Sequence, residues 1–324
     1  MVGKIENPLI SVVMSVYNGE KFLEEAIDSI LNQSFQDFEF IIINDCSTDR
    51  SLELLDEYKA KDHRIILINK PYNKGLKGFV ENLNLGLKQT KGKYIARMDQ
   101  DDIALPDRFL KQIEYLEKNP SIFLVGNSLN IIDESSQKVG EKKAISDFRL
   151  IKKRIQIDNP IFHPTIMFRR EDNLFYRDKF YACEDFDFHL RLIADGKIIH
   201  NLSESLLNYR ILSTSMSRKG NSFIKRLFLE KAKEFYKERM TSGGDSYEDF
   251  DDKELLNVLN EDAEISKETL IFAGKVAIMY QKREELKQIQ IKLKKKYNQN
   301  IFCFQLNQIG IFNSICSRVL KKIR

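Results

Sequence analysis

The sequence predicts an α/β fold with a mostly parallel central sheet over residues 1–215, followed by a helical region over residues 216–324. Two observations predict it: the first 126 residues alternate between two hydrophobic periods, and from Asn221 onward the pattern is helical. Ile10 to Val16 is an apolar, β-branched run, the pattern of a strand buried on both faces. After Asn18-Gly19, the residues Phe22, Leu23, Ala26, Ile27, Ile30 and Leu31 fall on one helical stripe. Phe38 to Ile43 is a second strand, Leu52, Leu55 and Tyr58 mark a helix, and Ile65 to Ile68 is a third strand. Phe79, Leu83 and Leu87 stripe the next helix, and Tyr94 to Met98 is a fourth strand. Pro106 opens a helix carrying Phe109, Ile113 and Leu116, and Ile122 to Val125 closes the series as a fifth strand.

Such alternation implies right-handed crossovers, with helices on both faces of the sheet. Residues 127 to 215 are irregular, with one helix around Phe186 to Ile193. Helices are then expected over Phe223 to Met240 and over Lys267 to Lys295. The acidic, glycine-bearing stretch Ser242 to Asp252 between them reads as a mobile loop.

Composition excludes several classes. A net charge of +4 over 324 residues gives no ground for wholesale nucleic-acid binding. No apolar run approaches the ~18–20 residues that a membrane-spanning helix needs. No export signal is visible at Met1 to Pro8, and Cys46, Cys183, Cys303 and Cys316 lack the paired spacing of zinc or redox motifs. Free thiols of this kind suit a reducing, cytoplasmic setting.

Ligands of parallel sheets bind beyond the carboxyl ends of the strands, and polar clusters stand there. The first is Ser15-Val16-Tyr17-Asn18, where the Tyr17 ring suits a nucleobase face. The second is Asn44 to Asp49, where Asp45 suits the imide N–H of uracil and Asp49 equally suits capping of the next helix. The third, Asp99-Gln100-Asp101-Asp102, follows the fourth strand directly. Extended backbone would turn Asp99 and Asp101 to one side, where like charges call for a cation. Carboxylates with substrate phosphates favour Mg²⁺ or Mn²⁺. The fourth, Glu184-Asp185-Phe186-Asp187, opens a helix; the helix dipole accounts for one carboxylate more easily than for three, so one could serve as general base. His63, His163, His189 and His200 lack ligand spacing; His189 is expected to pair with Asp185 one turn away, and His163 to line the site.

Four stretches resemble glycosyltransferase family 2, the inverting enzymes with the nucleotide-sugar fold called GT-A. They are PLISVVMSVYNGEKFLEEAIDSILNQSFQDFEFIIINDCSTDRS, NKGLKGFVENLNLGL, KGKYIARMDQDDIALPDRF and CEDFDFHLRL, in the family's order over residues 8–192. The resemblance implies that Tyr17 and Asp45 hold the nucleobase of a nucleotide-sugar donor, UDP-linked by preference, with Val16 and Asn18 nearby. It places Asn73, Gly75, Asn82, Arg97, Asp99 and Gln100 along the donor and gives Asp101 the divalent ion, Mn²⁺ or Mg²⁺. Asp185 would be the catalytic base, with Glu184 and His163 on the acceptor side. Asn159 to Thr165 resembles a segment of bacterial members that build surface polysaccharides, which implies a saccharide acceptor, lipid-linked in many such systems.

One position departs from the family. A histidine that often follows a Tyr-Arg pair is replaced, after Tyr209-Arg210, by Leu212, so either Arg210 with Ser213, Ser215 or Ser217 meets the phosphates, or the metal is held more loosely. That departure is the one feature favouring a binding protein without turnover. A nucleotidyltransferase would need a glycine-rich basic loop after the first strand, and Ser15 to Lys21 has only Gly19. The basic end, Ile309 to Arg324, suits contact with an anionic membrane surface as well as it suits a solvated helix face.

Overall fold

The computed structural model describes residues 7–181, 183–212 and 222–299. These fall into two compact units, one of residues 7–212 with 231–247, the other of residues 222–230 and 248–299.

The first unit opens as the hydrophobic periods predict. The strands β1 (Ile10–Val16), β2 (Phe38–Asn44), β3 (Ile65–Asn69) and β4 (Tyr94–Asp99) alternate with helices α1 (Leu23–Leu31), α2 (Ser51–Lys61) and α3 (Leu76–Gln89). β2 is buried at every residue, which explains its unbroken apolar sequence. β1 lies parallel between β2 and β4, and β3 lies parallel on the outer side of β2. α3 packs tightly on this sheet. A Cβ added to Gly86 would lie 2.4 Å from Val13 Cγ1 and 3.0 Å from Ile43 Cδ1. Gly86→Ala should therefore lower stability by about 1–3 kcal/mol through overpacking, although alanine is the better helix former. Urea unfolding checks this, and an unchanged midpoint would contradict it.

Beyond β4 the order is richer than a fifth parallel strand. A two-residue β5 (Ile103–Ala104) and helix α4 (Arg108–Lys118) lead to β6 (Ile122–Ile132), which extends well past the predicted Val125. The rest comprises β7 (Lys138–Lys142), α5 (Phe148–Arg154), β8 (Met167–Arg169), α6 (Glu184–Ala194) and β9 (Ile198–Arg210). Among the described residues these form one nine-stranded sheet in the order β3-β2-β1-β4-β8-β6-β9-β5, with β7 on β6. β8 runs antiparallel between β4 and β6, while β6 and β9 pair in parallel. The stretch read as irregular thus contains two long strands. Register shifts between Ile122 and Leu124 and around Ser128 break the two-residue alternation by which β6 and β9 would have been recognised.

The predicted mobile loop after α7 (Ser222–Ser242) is pinned instead. Arg177 forms a two-pronged ion pair with Asp245, at 2.6 and 2.8 Å, and the Tyr247 hydroxyl donates to Asp178 at 2.5 Å. The second unit holds α8 (Asp252–Leu256), α9 (Lys267–Met279) and α10 (Arg283–Tyr297). The single helix expected over Lys267 to Lys295 is broken where Gln281 adopts φ 55° and Lys282 N–H closes on Ala277 O at 2.8 Å. Among the described residues no helix is long and apolar enough to cross a membrane.

Candidate active site

The carboxyl ends of β1, β2 and β4 meet, and loop hydrogen bonds fix them there. Asn18, at φ 48°, accepts Thr48 N–H at 2.8 Å, and its own N–H donates to Ser47 Oγ at 3.1 Å. Asp49 accepts Ser51 N–H at 3.0 Å and Glu20 N–H at 3.1 Å, tying the start of α2 to the loop after β1. Burial pushes the Asp49 carboxyl up, but the hydrogen bonds from Ser51 and Glu20 together hold it below its usual value. The Gln100 side chain grips Tyr17 at both backbone groups, accepting its N–H at 2.7 Å and donating to its carbonyl at 3.1 Å. Gln100 thus fixes the stance of Tyr17, a residue left 46% exposed.

Asp45 lies deeper, 3% exposed, and its N–H donates to Val16 O at 2.8 Å. Lys70 Nζ approaches Asp45 Oδ1 at 2.7 Å, an ion pair whose angle falls short of a hydrogen bond. Asn73 Nδ2 donates to Asp45 Oδ2 at 2.9 Å. Lys70 also donates to Asn82 Oδ1 at 2.7 Å, and Asn82 Nδ2 to Ser15 Oγ at 2.9 Å. Asn73, Asn82 and Asp45 therefore form one part-buried network whose cation, Lys70, sequence reasoning did not single out. Its position just past β3 was the available signal. Gly75 turns into α3 at φ 61° with nothing near its Cβ position, so only backbone conformation demands glycine there.

The acidic segment departs from the expected geometry. β4 ends at Asp99, and Gln100 and Asp101 lie in a turn, so strand alternation does not set the direction of Asp101. The turn nevertheless crowds the charges. Burial, and then the Asp99 charge, push Asp101 up to about 6. Asp102 is fully buried and is driven well above its usual value by burial, Asp99 and Asp101. Its Oδ1 accepts Arg210 N–H at 2.9 Å, while its Oδ2 has no hydrogen-bond partner among the described residues. Opposing charge comes from Arg97, a buried side chain ion-paired to Asp99.

Among the described residues no cluster of three His, Cys, Asp or Glu side chains could hold a metal alone. One or two carboxylates suffice for Mg²⁺ or Mn²⁺ when substrate phosphates complete the shell, and the crowded Asp99 and Asp101 fit that role. Arg210 does not reach toward phosphates as expected. Its guanidinium is buried beneath the loops, donating to Asp101 O at 2.9 Å, Asp133 O at 3.1 Å and Glu25 at 3.0 Å, and it lies over the Phe22 ring. Ser213, Ser215, Ser217 and the basic end from Ile309 lie outside the described residues.

Asp185 and Glu184 stand in the first turn of α6. Asp185 Oδ1 accepts Phe186 N–H at 2.7 Å, and its Oδ2 accepts from Asn159 Nδ2 at 2.8 Å. His189 does not pair with Asp185; its Nδ1 meets Asn159 Oδ1 at 3.2 Å. Asp187 is buried between Arg191, at 2.9 Å, and Arg177, at 3.4 Å, and serves the packing of α6. His163 is buried, with Nε2 2.8 Å from the Tyr176 hydroxyl. Burial, with the Arg97 charge second, holds His163 well below its usual value, so it is neutral.

Tyr176, the partner of His163, also stacks on Phe188 of α6. Burial raises its hydroxyl, and the charges of Arg97, Glu184 and Asp185 all act on it. Arg97 in turn interacts with Asp99 and Asp102. The Arg97 charge thus acts both on Tyr176 and on Asp99 at the end of β4.

A family profile, Glycosyl transferase family 2, matches residues 11–175. An uncharacterized glycosyltransferase of Methanocaldococcus jannaschii is 40% identical over 65% of this chain and 73% of its own length. The O-antigen biosynthesis glycosyltransferase WbnJ of Escherichia coli is 35% identical over 67% of this chain and 84% of its own. In fold, the chain is similar to TarS residues 1–349 of S. aureus, solved in complex with UDP-GlcNAc. The TM-score is 0.59 at 15% identity, covering 90% of this chain and 92% of that one.

Proposed function

The chain belongs to glycosyl transferase family 2, with a GT-A fold, and on that basis we propose the reaction it performs. It moves a sugar from a nucleoside diphosphate sugar, UDP-linked by preference, to a hydroxyl of a saccharide acceptor, lipid-linked, in cell-surface polysaccharide assembly. The observation that carries this reading is the meeting of the polar ends of β1, β2 and β4, where Gln100 grips the Tyr17 backbone, Asp45 N–H donates to Val16 O and Arg97 pairs with Asp99. The relatives' names support the substrate class: WbnJ is an O-antigen enzyme, and TarS was solved with UDP-GlcNAc.

Asp45 and Tyr17 take the base, the first through its carboxylate and the second through its exposed ring. Val16, Asn18 and Gln100 set their stance, and Asn73, Gly75 and Asn82 shape the floor of the donor site. Arg97 orients Asp99 toward the donor sugar, and Asp101 holds the divalent ion. When bound, that ion neutralises charge on the departing diphosphate. Asp185 takes the proton of the acceptor hydroxyl while the hydroxyl oxygen bonds to the anomeric carbon. The bond from that carbon to the diphosphate breaks in the same displacement, so configuration inverts. Glu184 and His163 line the acceptor side.

A panel of nucleotide sugars with Mn²⁺ tests the donor. A UDP-sugar at ~100 Kd should raise stability by about 3 kcal/mol in thermal unfolding, whereas no protection by any of them would remove the reading.

A lipid-linked acceptor puts the enzyme at the inner face of the cytoplasmic membrane, with the basic end as one contact. The cationic side chains closing the chain are Arg318, Lys321, Lys322 and Arg324, each contributing about 1 kcal/mol at an anionic surface. Co-sedimentation with anionic vesicles should fall when residues 309–324 are removed; equal partitioning would end the idea.

A further inference from the structure

We propose that Asn159 and His189 form a positioning relay that sets the orientation of the Asp185 carboxylate. The relay rests on the reading of Asp185 as the base. Asn159 stands in the loop before β8, thirty residues from His189 in sequence, and its amide touches both side chains.

The orientation of that amide is determined independently of the pair. Ile161 N–H donates to Asn159 Oδ1 at 3.3 Å, so the oxygen must face this donor and the nitrogen must face Asp185. His189 Nδ1 then meets an acceptor, at 3.2 Å, and must carry its proton on Nδ1. The other tautomer would set two lone pairs against each other and leave an N–H at Nε2, which is buried without a hydrogen-bond partner among the described residues. Burial pushes His189 down to about 3, so the ring stays neutral and the tautomer does not change with pH in the working range.

The consequence reaches Asp185. A rotated Asn159 amide would present its oxygen to the carboxylate and repel it; His189 and Ile161 prevent that rotation. With Phe186 N–H on Oδ1 and Asn159 Nδ2–H on Oδ2, both carboxylate oxygens have fixed donors and the carboxylate plane cannot turn. A base held in this way meets an acceptor hydroxyl in one geometry, which acts on turnover more than on donor binding. Helical spacing alone suggested a direct pair of His189 with Asp185; the Asn159 amide is the intermediate that joins them.

Five proteins test the relay with UDP-GlcNAc and Mn²⁺, scored by donor hydrolysis: the native chain, Asn159→Ala, His189→Leu, His189→Asn and Asp185→Asn. Asn159→Ala and His189→Leu should each lower kcat about tenfold or more, with KM for UDP-GlcNAc within about twofold, because a hydrogen bond to a charged group is lost or misdirected. His189→Asn keeps an N–H where Nδ1 stood and should retain kcat within about threefold. Unchanged kcat in Asn159→Ala, beside a native chain that turns over and an Asp185→Asn chain that does not, overturns the relay alone. Turnover by Asp185→Asn within about tenfold of native overturns the reading of the base instead. A readout independent of activity is the His189 tautomer in the native chain, from long-range proton–nitrogen NMR correlation. A proton on Nδ1 supports the relay, and a proton on Nε2 rejects it even if a variant fails to fold.

Discussion

Asp185→Asn should lower kcat for sugar transfer by about 10²–10⁴, the range general bases contribute, while leaving donor KM little changed. The substitution keeps the shape of the side chain but removes the proton acceptor. It also sets an amide nitrogen against either Phe186 N–H or Asn159 Nδ2, both of which now donate to the carboxylate. Some loss of stability should therefore accompany the loss of turnover, and thermal unfolding separates the two. The neighbouring carboxylate is the control. Asp187 is held by Arg177 and Arg191, away from Asp185's partners, so Asp187→Asn should cost stability chiefly. Turnover by Asp185→Asn within about tenfold of native would move the base elsewhere.

Asp101→Asn should reduce metal-dependent turnover by about 10²–10³, the loss typical when one group stabilising transition-state charge is removed. The same substitution should do the reverse to stability in the absence of metal. The folded pKa of Asp101 is about 6 against an ordinary 3.8, so the fold holds this proton more tightly than the unfolded chain does. As pH rises from 3.8 the unfolded chain releases its proton first, and the fold loses stability until about pH 6, above which the penalty is constant. The neutral asparagine escapes that penalty. Without metal, Asp101→Asn should exceed the native chain by about 1–3 kcal/mol at pH 7.5, an advantage that shrinks toward pH 4.5. Urea unfolding at the two pH values checks the sign. A variant less stable than native at pH 7.5 would mean that burial and the Asp99 charge do not govern Asp101.

Both predictions depend on clusters visible in sequence, yet the reasons for their properties were not. Asp99 to Asp102 could be found because a polar run directly after a buried strand is a local signal. Strand alternation does not set the direction of Asp101, because the strand stops at Asp99. The electrostatics of the loop instead follow from burial and from Arg97, facts of packing. The motif around Asp185 was equally plain, while its partner Asn159 is 26 residues away.

Local pattern was enough for the α/β half of the molecule from β1 to β4, for the helices between those strands, and for the clusters at the strand ends. Hydrophobic period and strand-end polarity are written within a dozen residues, and the backbone answers to them locally. Three-dimensional packing was needed for the insertion of β8 between β4 and β6, the pinning of the loop after α7 and the burial of Arg210, whose N–H meets Asp102 across 108 positions. Such partners are chosen by which groups are desolvated together, since a buried charge or amide must find its complement wherever the fold brings one, and no periodicity in the chain records that choice.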